Sequence, residues 1–145
     1  ALAADIGATR FLVAGNDLPQ EAAGALGGAP EIVFECVGKP GMLARAIECV
    51  APRGLVLGLG ACWHPDPIDS LLALVKEVRV QFAVGYAKAD FGMAVEALAA
   101  GAVEPRAMVT DTVTLDQLPA TFEALRHRSH QCKVMIDPTG AHHPH

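Results

Sequence analysis

Aromatic side chains are scarce, at 5% of the 145 residues, and charged side chains make up only 19%. A core short of rings must be built from Ala, Val, Leu and Ile, which suits helices packed on a buried parallel sheet. With 52% hydrophobic residues the chain has too much apolar surface to remain disordered. Basic charge is thin as well: the formal net charge is −5, and no stretch concentrates Lys and Arg. Nucleic acid requires a positive footprint to neutralise phosphates, so that class of partner is excluded. No apolar run approaches the roughly 20 residues that span a bilayer, so no membrane role is expected. The start, ALAADIGATR, lacks a charged segment followed by a hydrophobic one and does not read as a secretion signal. It reads as the end of a helix stopped at Gly7, and the expectation is a chain that begins within a domain. The four cysteines, Cys36, Cys49, Cys62 and Cys132, form no C-x-x-C, so neither a disulfide scaffold nor a zinc ribbon fits. A reduced, cytoplasmic setting is expected.

What is present is an alternation of short apolar runs with amphipathic stretches. Phe11 to Val13 is a short strand candidate. A helix follows from Asp17 to Leu26, with Asp17 as N-cap and Gly27 and Gly28 as the stop. Ile32 to Cys36 is a β-branched strand. From Gly41 to Val50, Leu43, Ala46, Ile47 and Val50 recur on one helical face. Leu55 to Leu59 is the next buried strand. This β-α-β-α-β order with short connections predicts a parallel α/β layer. Beyond the loop ACWHPDP, Leu71 to Val75 reads as a short helix and Val78 to Tyr86 as a longer strand. Asp90 is placed to cap a helix reaching Ala100, and Met108 to Val113 holds extended pieces. Leu118, Phe122 and Leu125 form a helical stripe expected to be core, and Lys133 to Ile136 is the last strand. One domain is expected over residues 1–138, with a disordered tail at 139–145.

Chemistry in such a sheet gathers beyond the carboxyl ends of its strands. Cys36, Val37 and Gly38 end one strand, and Leu59, Gly60 and Ala61 end the next. Small residues there let a ligand edge approach the backbone, but an ordinary strand-to-helix turn has the same look. Glu35, among apolar neighbours, is either a shifted acid or base or a carboxylate paired with a backbone amide or a helix end. Trp63 and His64 either shape a contact or lie in a surface loop. His127, His130 and Cys132 lie close together, and the two histidines, three apart near a helix end, could share a metal, although an exposed polar loop is the plainer reading. His142, His143 and His145 would bind metal only incidentally. No catalytic residue is assigned.

The ordered set LAADIGATRFLV, EIVFECVGKPGMLARAIECVAPRGLVLGLG, LVKEVRVQFAVGYAKADFGMAVEALAAGAVEP, MVTDTVTLDQLPATFEALR and CKVMIDP resembles the later part of the nucleotide-binding domain of zinc-dependent medium-chain alcohol dehydrogenases. The resemblance covers nearly the whole chain. It implies a partial doubly wound, Rossmann-type α/β sheet and hydride transfer between an alcohol carbon and NAD or NADP. It further implies that Cys36, Val37, Gly38 and Lys39 lie beside the adenosine. Leu59, Gly60 and Ala61 would back the nicotinamide, Ala83 and Gly85 would bond its carboxamide, and Lys133 would stand near the pyrophosphate. Lysine supplies charge there without the fork of an arginine. A homo-oligomer acting on a small alcohol or aldehyde is expected.

The chain also departs from the pattern. It contains no G-x-G-x-x-G phosphate loop, so NAD and NADP are not distinguished. The zinc ligands would belong to a catalytic domain outside this sequence, and this chain alone is expected to be inactive. Three alternatives stand beside this reading: a zinc-free quinone or enoyl reductase, a non-catalytic α/β association module, and a methyltransferase-type domain. The long C-terminal match argues against the last.

Overall fold

The structure, a computed structural model, describes residues 2–127 and 130–140. The chain divides into two compact units, Arg10–Lys88 in one and Ala1–Thr9 with Ala89–His145 in the other. The histidines at 142, 143 and 145, and most of the segment read as a tail, lie outside the described residues.

The Arg10–Lys88 unit holds helix α2 (Leu18–Leu26), strand β1 (Ile32–Glu35), helix α3 (Met42–Cys49), strand β2 (Leu55–Gly58), helix α4 (Ser70–Val75) and strand β3 (Arg79–Phe82). The strands form a parallel sheet in the order β1-β2-β3. Parallel pairing is forced because each connection carries a helix back across the sheet. Gly27 stops α2 in the left-handed conformation that glycine adopts at no steric cost.

The core follows from the α3 stripe. Ala46, Ile47 and Val50 are buried against Val56 of β2, with Val33, Leu43, Leu72, Ala73 and Val78 packed around them. Fully burying each large aliphatic side chain is worth about 1.5–3 kcal/mol. Three are completely enclosed, Ile47, Val50 and Val56, so this unit is held by few residues.

Helix α3 is fastened at both ends from far along the chain. Asp66 accepts the Gly41 amide at 2.5 Å and the Leu43 amide at 3.3 Å. At the other end, the Lys76 ammonium donates to Ile47 O at 2.7 Å and Glu48 O at 2.9 Å. A carboxylate at the amino end and an ammonium at the carboxyl end both oppose the helix dipole. Arg45, in mid-helix, donates to the carbonyls of Gly15 and Asn16 and so ties in the approach to α2.

The second unit holds helix α1 (Leu2–Asp5), helix α5 (chiefly here, Lys88–Ala99), strand β4 (Val109–Thr114), helix α6 (Leu118–Ala124) and strand β5 (Lys133–Asp137). Strands β4 and β5 pair in parallel, with an irregularity between Val109 and Asp111. Gly7, at φ 98°, ends the first helix as its position suggests.

The parallel α/β class stands, and four readings are corrected. Phe11 to Val13 is not a strand: a strand exists only by pairing, and no described segment pairs with it. The run from Val78 to Tyr86 forms only the four-residue β3. Its neighbour β2 turns away after Gly58, where the Leu59 and Gly60 amides both donate to Glu35 O, so residues beyond Ala83 find no ladder. Asp90 lies inside the first turn of α5 rather than capping it, because the helix already starts at Lys88. Phe122 is not core: its side chain is 70% exposed, on the uncovered side of α6.

Candidate functional site

The site grows from the sheet register. Glu35, Gly58 and Phe82 are paired across the three strands as their last residues, so they form one row on one face. Gly58 has no side chain, and the Phe82 ring fills that space: a Cβ at 58 would stand 2.7 Å from it. Beyond this row opens a cleft of about 400 Å³. Glu35, Gly58 and Phe82 line it with Leu59, Gly60 and Ala61 after β2, Ala83 and Val84 after β3, and Leu43, Cys62, His64 and Asp66 at its side.

The two strand exits after β1 and β2 are locked together. The Glu35 Oε1 atom accepts from the Val37 amide at 2.7 Å and the Gly38 amide at 2.8 Å. The backbone oxygen of the same residue accepts from Leu59 at 2.8 Å and Gly60 at 2.9 Å. Glycine is required where the exits cross. Gly38 has φ +65°, and a Cβ on it would meet Ala61 N at 2.6 Å; a Cβ on Gly60 would meet Glu35 Oε2 at 2.6 Å and Gly38 Cα at 2.7 Å. These glycines therefore serve the approach of one loop to the other.

The lining contains no lysine or arginine. Its two carboxylates are turned to backbone amides: Asp66 to the start of α3, Glu35 to the β1 exit. The walls thus offer backbone and apolar surface, an environment for a flat, weakly charged ring rather than for a phosphate.

Of the residues singled out in the sequence, Leu59, Gly60, Ala61 and Ala83 line the cleft. Gly38 lies directly behind Gly60 and Ala61, while Cys36, Val37 and Lys39 are exposed on the β1 exit. Gly85, at φ +68°, follows Val84 of the rim. Lys133 begins β5 in the other compact unit. His64 lines the cleft, whereas the neighbouring Trp63 side chain is exposed. Glu35 takes the second of its two readings, a carboxylate paired with backbone amides.

Sequence reasoning missed Asp66, Phe82 and Lys76. Asp66 and Lys76 bind partners more than twenty residues away, which no local pattern announces. The alternation of β3, with Val80 and Phe82 on one side, did contain the signal for Phe82.

Among the described residues, no group of three His, Cys, Asp or Glu side chains is arranged to hold a metal ion. His130 instead approaches Asp111 at 3.8 Å, and the Cys132 amide donates to Thr110 Oγ1 at 3.1 Å. No helix among the described residues is long and apolar enough to cross a membrane.

Residues 1–100 match the family model described as zinc-binding dehydrogenase. A protein of Rhizobium meliloti (strain 1021) named as a D-xylulose reductase is 30% identical over 117 residues, covering 79% of this chain and 34% of that protein. The crystal structure of 2R,3R-butanediol dehydrogenase from Bacillus subtilis has a TM-score of 0.74 at 26% identity, across 86% of this chain and 36% of that one. A zinc-binding dehydrogenase structure from Sinorhizobium meliloti 1021, bound to NADP, has a TM-score of 0.82 at 24% identity, across 94% of this chain and 41% of that one. The chain thus spans about a third of the length of the curated relatives it matches.

Proposed function

The chain belongs to the zinc-binding dehydrogenase family, and we propose that it forms the nicotinamide-facing part of an NAD(P)-dependent alcohol dehydrogenase. The observation that carries this reading is the cleft beyond β1, β2 and β3, lined chiefly by backbone and apolar atoms, with His64, Glu35 and Asp66 among its polar side chains. In open parallel sheets that is the position where nucleotides lie. Leu59, Gly60 and Ala61 would back the nicotinamide ring, and the Ala83–Gly85 segment would present backbone groups to its carboxamide. Cys36, Val37, Gly38 and Lys39 would flank the adenosine.

The residues fit the uncharged end of the cofactor and not its phosphates. A bound nicotinamide accepts or gives a hydride; this chain's contribution is to orient the ring and keep water from one of its faces. The described residues do not fit zinc, because no three of their His, Cys, Asp or Glu side chains are grouped to hold it. The zinc-assisted step and the small alcohol or aldehyde substrate are assigned to the remainder of a longer protein. Among the described residues β3 pairs only with β2, and an open strand edge with the exposed side chains Val80 and Phe82 beside it supports assembly into a homo-oligomer.

Titration of the ¹⁵N-labelled chain with NADH and NADPH tests the proposal. Amide shifts at Leu59–Ala61 and Ala83–Val84 are expected, with dissociation constants weaker than about 100 µM because orientation contacts alone must offset the entropy of association. No alcohol oxidation is expected from the chain alone. Shifts confined to residues outside the cleft would overturn the reading.

A further inference from the structure

Glu35 serves two loops at once. Its backbone oxygen holds the amides of Leu59 and Gly60, and its carboxylate holds those of Val37 and Gly38. Its Oε2 lies 2.6 Å from the point a Cβ of Gly60 would occupy, and the Gly38 backbone closes over the same spot. Glu35 also lines the cleft, half-buried at the end of β1. A bare strand-to-helix turn could be stabilised by water; here a charged acceptor inside the wall takes both amides of the turn.

We infer that Glu35 is a positioning residue for the ring-binding cleft, fixing the β1 exit so that the exit holds Gly60 and Ala61 in place. The inference rests on the nicotinamide reading given above. The side chain acts through the Gly38–Gly60 contact. When its carboxylate is lost, the turn at Val37 and Gly38 is free to move, and the Leu59–Ala61 wall loses its backing.

The test uses the 145-residue chain and three variants, Glu35→Ala, Glu35→Met and Glu35→Gln. Gln keeps an acceptor at the same reach, whereas Met keeps the length of the side chain and has no oxygen to accept the amides. Amide hydrogen exchange in the ligand-free chain should accelerate at least about tenfold at Val37, Gly38, Leu59 and Gly60 in the Ala and Met variants, the loss of a charge-assisted bond to a turn. Exchange at Ile47 and Val56 should stay within about twofold, since the core is untouched. The Gln variant should return the loop amides most of the way to the native rate. In parallel, the NADH dissociation constant should rise about tenfold in the Ala and Met variants and recover with Gln. If the Ala variant does not fold, the Met variant carries the test. Native exchange at Leu59 and Gly60 in the Met variant overturns the inference. Absence of NADH shifts in the native chain refutes the nicotinamide reading instead, and the exchange result then decides the loop-fixing role by itself.

Discussion

The carboxyl end of α3 is the place to perturb first, because its carbonyls have been denied their ordinary partners. In a continuing helix Ile47 O would accept from Ala51 N, and Glu48 O from the amide of residue 52. Ala51 N donates instead to Pro30 O at 2.8 Å, and residue 52 is proline, which has no N–H. Lys76 replaces both donors with one ammonium, at 2.7 and 2.9 Å. Lys76→Met keeps the stem and removes the charge and all three donors. The Ile47 carbonyl is part-buried, so its bond to a charged donor is worth about 1.5–3 kcal/mol. The Glu48 carbonyl is open to water and contributes little, and the dipole interaction adds roughly 0.3–1 kcal/mol. Set against about 1–2 kcal/mol of lysine side-chain entropy released on mutation, the net loss is about 1–2 kcal/mol. For a chain of this size that lowers Tm by roughly 3–7 °C. Urea unfolding followed by circular dichroism measures it, as a lower midpoint at unchanged slope. A midpoint indistinguishable from the parent would refute the reasoning, since it would mean that water serves these carbonyls as well as Lys76 does.

Gly60→Ala should cost about 1–3 kcal/mol through overpacking against the Gly38 backbone and the Glu35 carboxylate; an unchanged denaturation midpoint would contradict the crossing of the two loops. Glu77 holds φ 51° just after α4, so Glu77→Gly should stabilise by about 0.5–1 kcal/mol despite losing the exposed ion pair to Arg53, and a destabilised variant would show that the pair outweighs the strain. Burial raises the Cys49 thiol above its ordinary range, so Cys36 and Cys132, both exposed, should be alkylated before Cys49 at pH 8. Because the folded thiol keeps its proton longer than the unfolded one, the stability it contributes is complete below the unfolded thiol value and is lost as pH rises through the folded one; alkaline unfolding of Cys49→Ala should show a shallower pH slope. Side-chain and backbone hydrogen bonds from Arg106 hold the Glu104 carboxyl down at about 2, so its ¹³C signal should remain that of a carboxylate at pH 3 and revert toward the ordinary range in Arg106→Gln. That contribution is present above the unfolded carboxylate value and lost as pH falls toward 2; the pair is fully exposed, so salt should weaken it.

Where a segment's neighbours lie close in sequence, the pattern of residues was sufficient. The stripe Leu43, Ala46, Ile47 and Val50 announced α3 and most of the core, and Gly27 marked the end of α2. The strand exits after β1 and β2 were found at Cys36–Gly38 and Leu59–Ala61 because glycine follows each apolar run. Failures came where the outcome depends on a distant partner. Phe11–Val13 has the composition of a strand and, among the described residues, no strand beside it. The residues from Val84 to Tyr86 continue an extended-looking run, but β2 has already bent away toward Glu35. Phe122 keeps the helical period of a buried residue, yet no described element covers it.

The glycines of the site show why a correct position can carry an incomplete reason. Gly38 and Gly60 stand where a ligand edge was expected, and small residues there were read as room for a cofactor. In the structure the room is taken by each other's backbone and by the Glu35 carboxylate. Their smallness first builds a wall, and the cleft is lined by Gly60 of that wall together with the row of Glu35, Gly58 and Phe82. A glycine after a strand therefore points to close approach without naming what approaches, and only the register of the neighbouring strand decides between a ligand and a loop. Here Glu35 stands in one row with Gly58 and Phe82, and its carboxylate is taken up by the Val37 and Gly38 amides. That is why a charged residue at the mouth of an apolar cleft is compatible with a flat, weakly charged ligand.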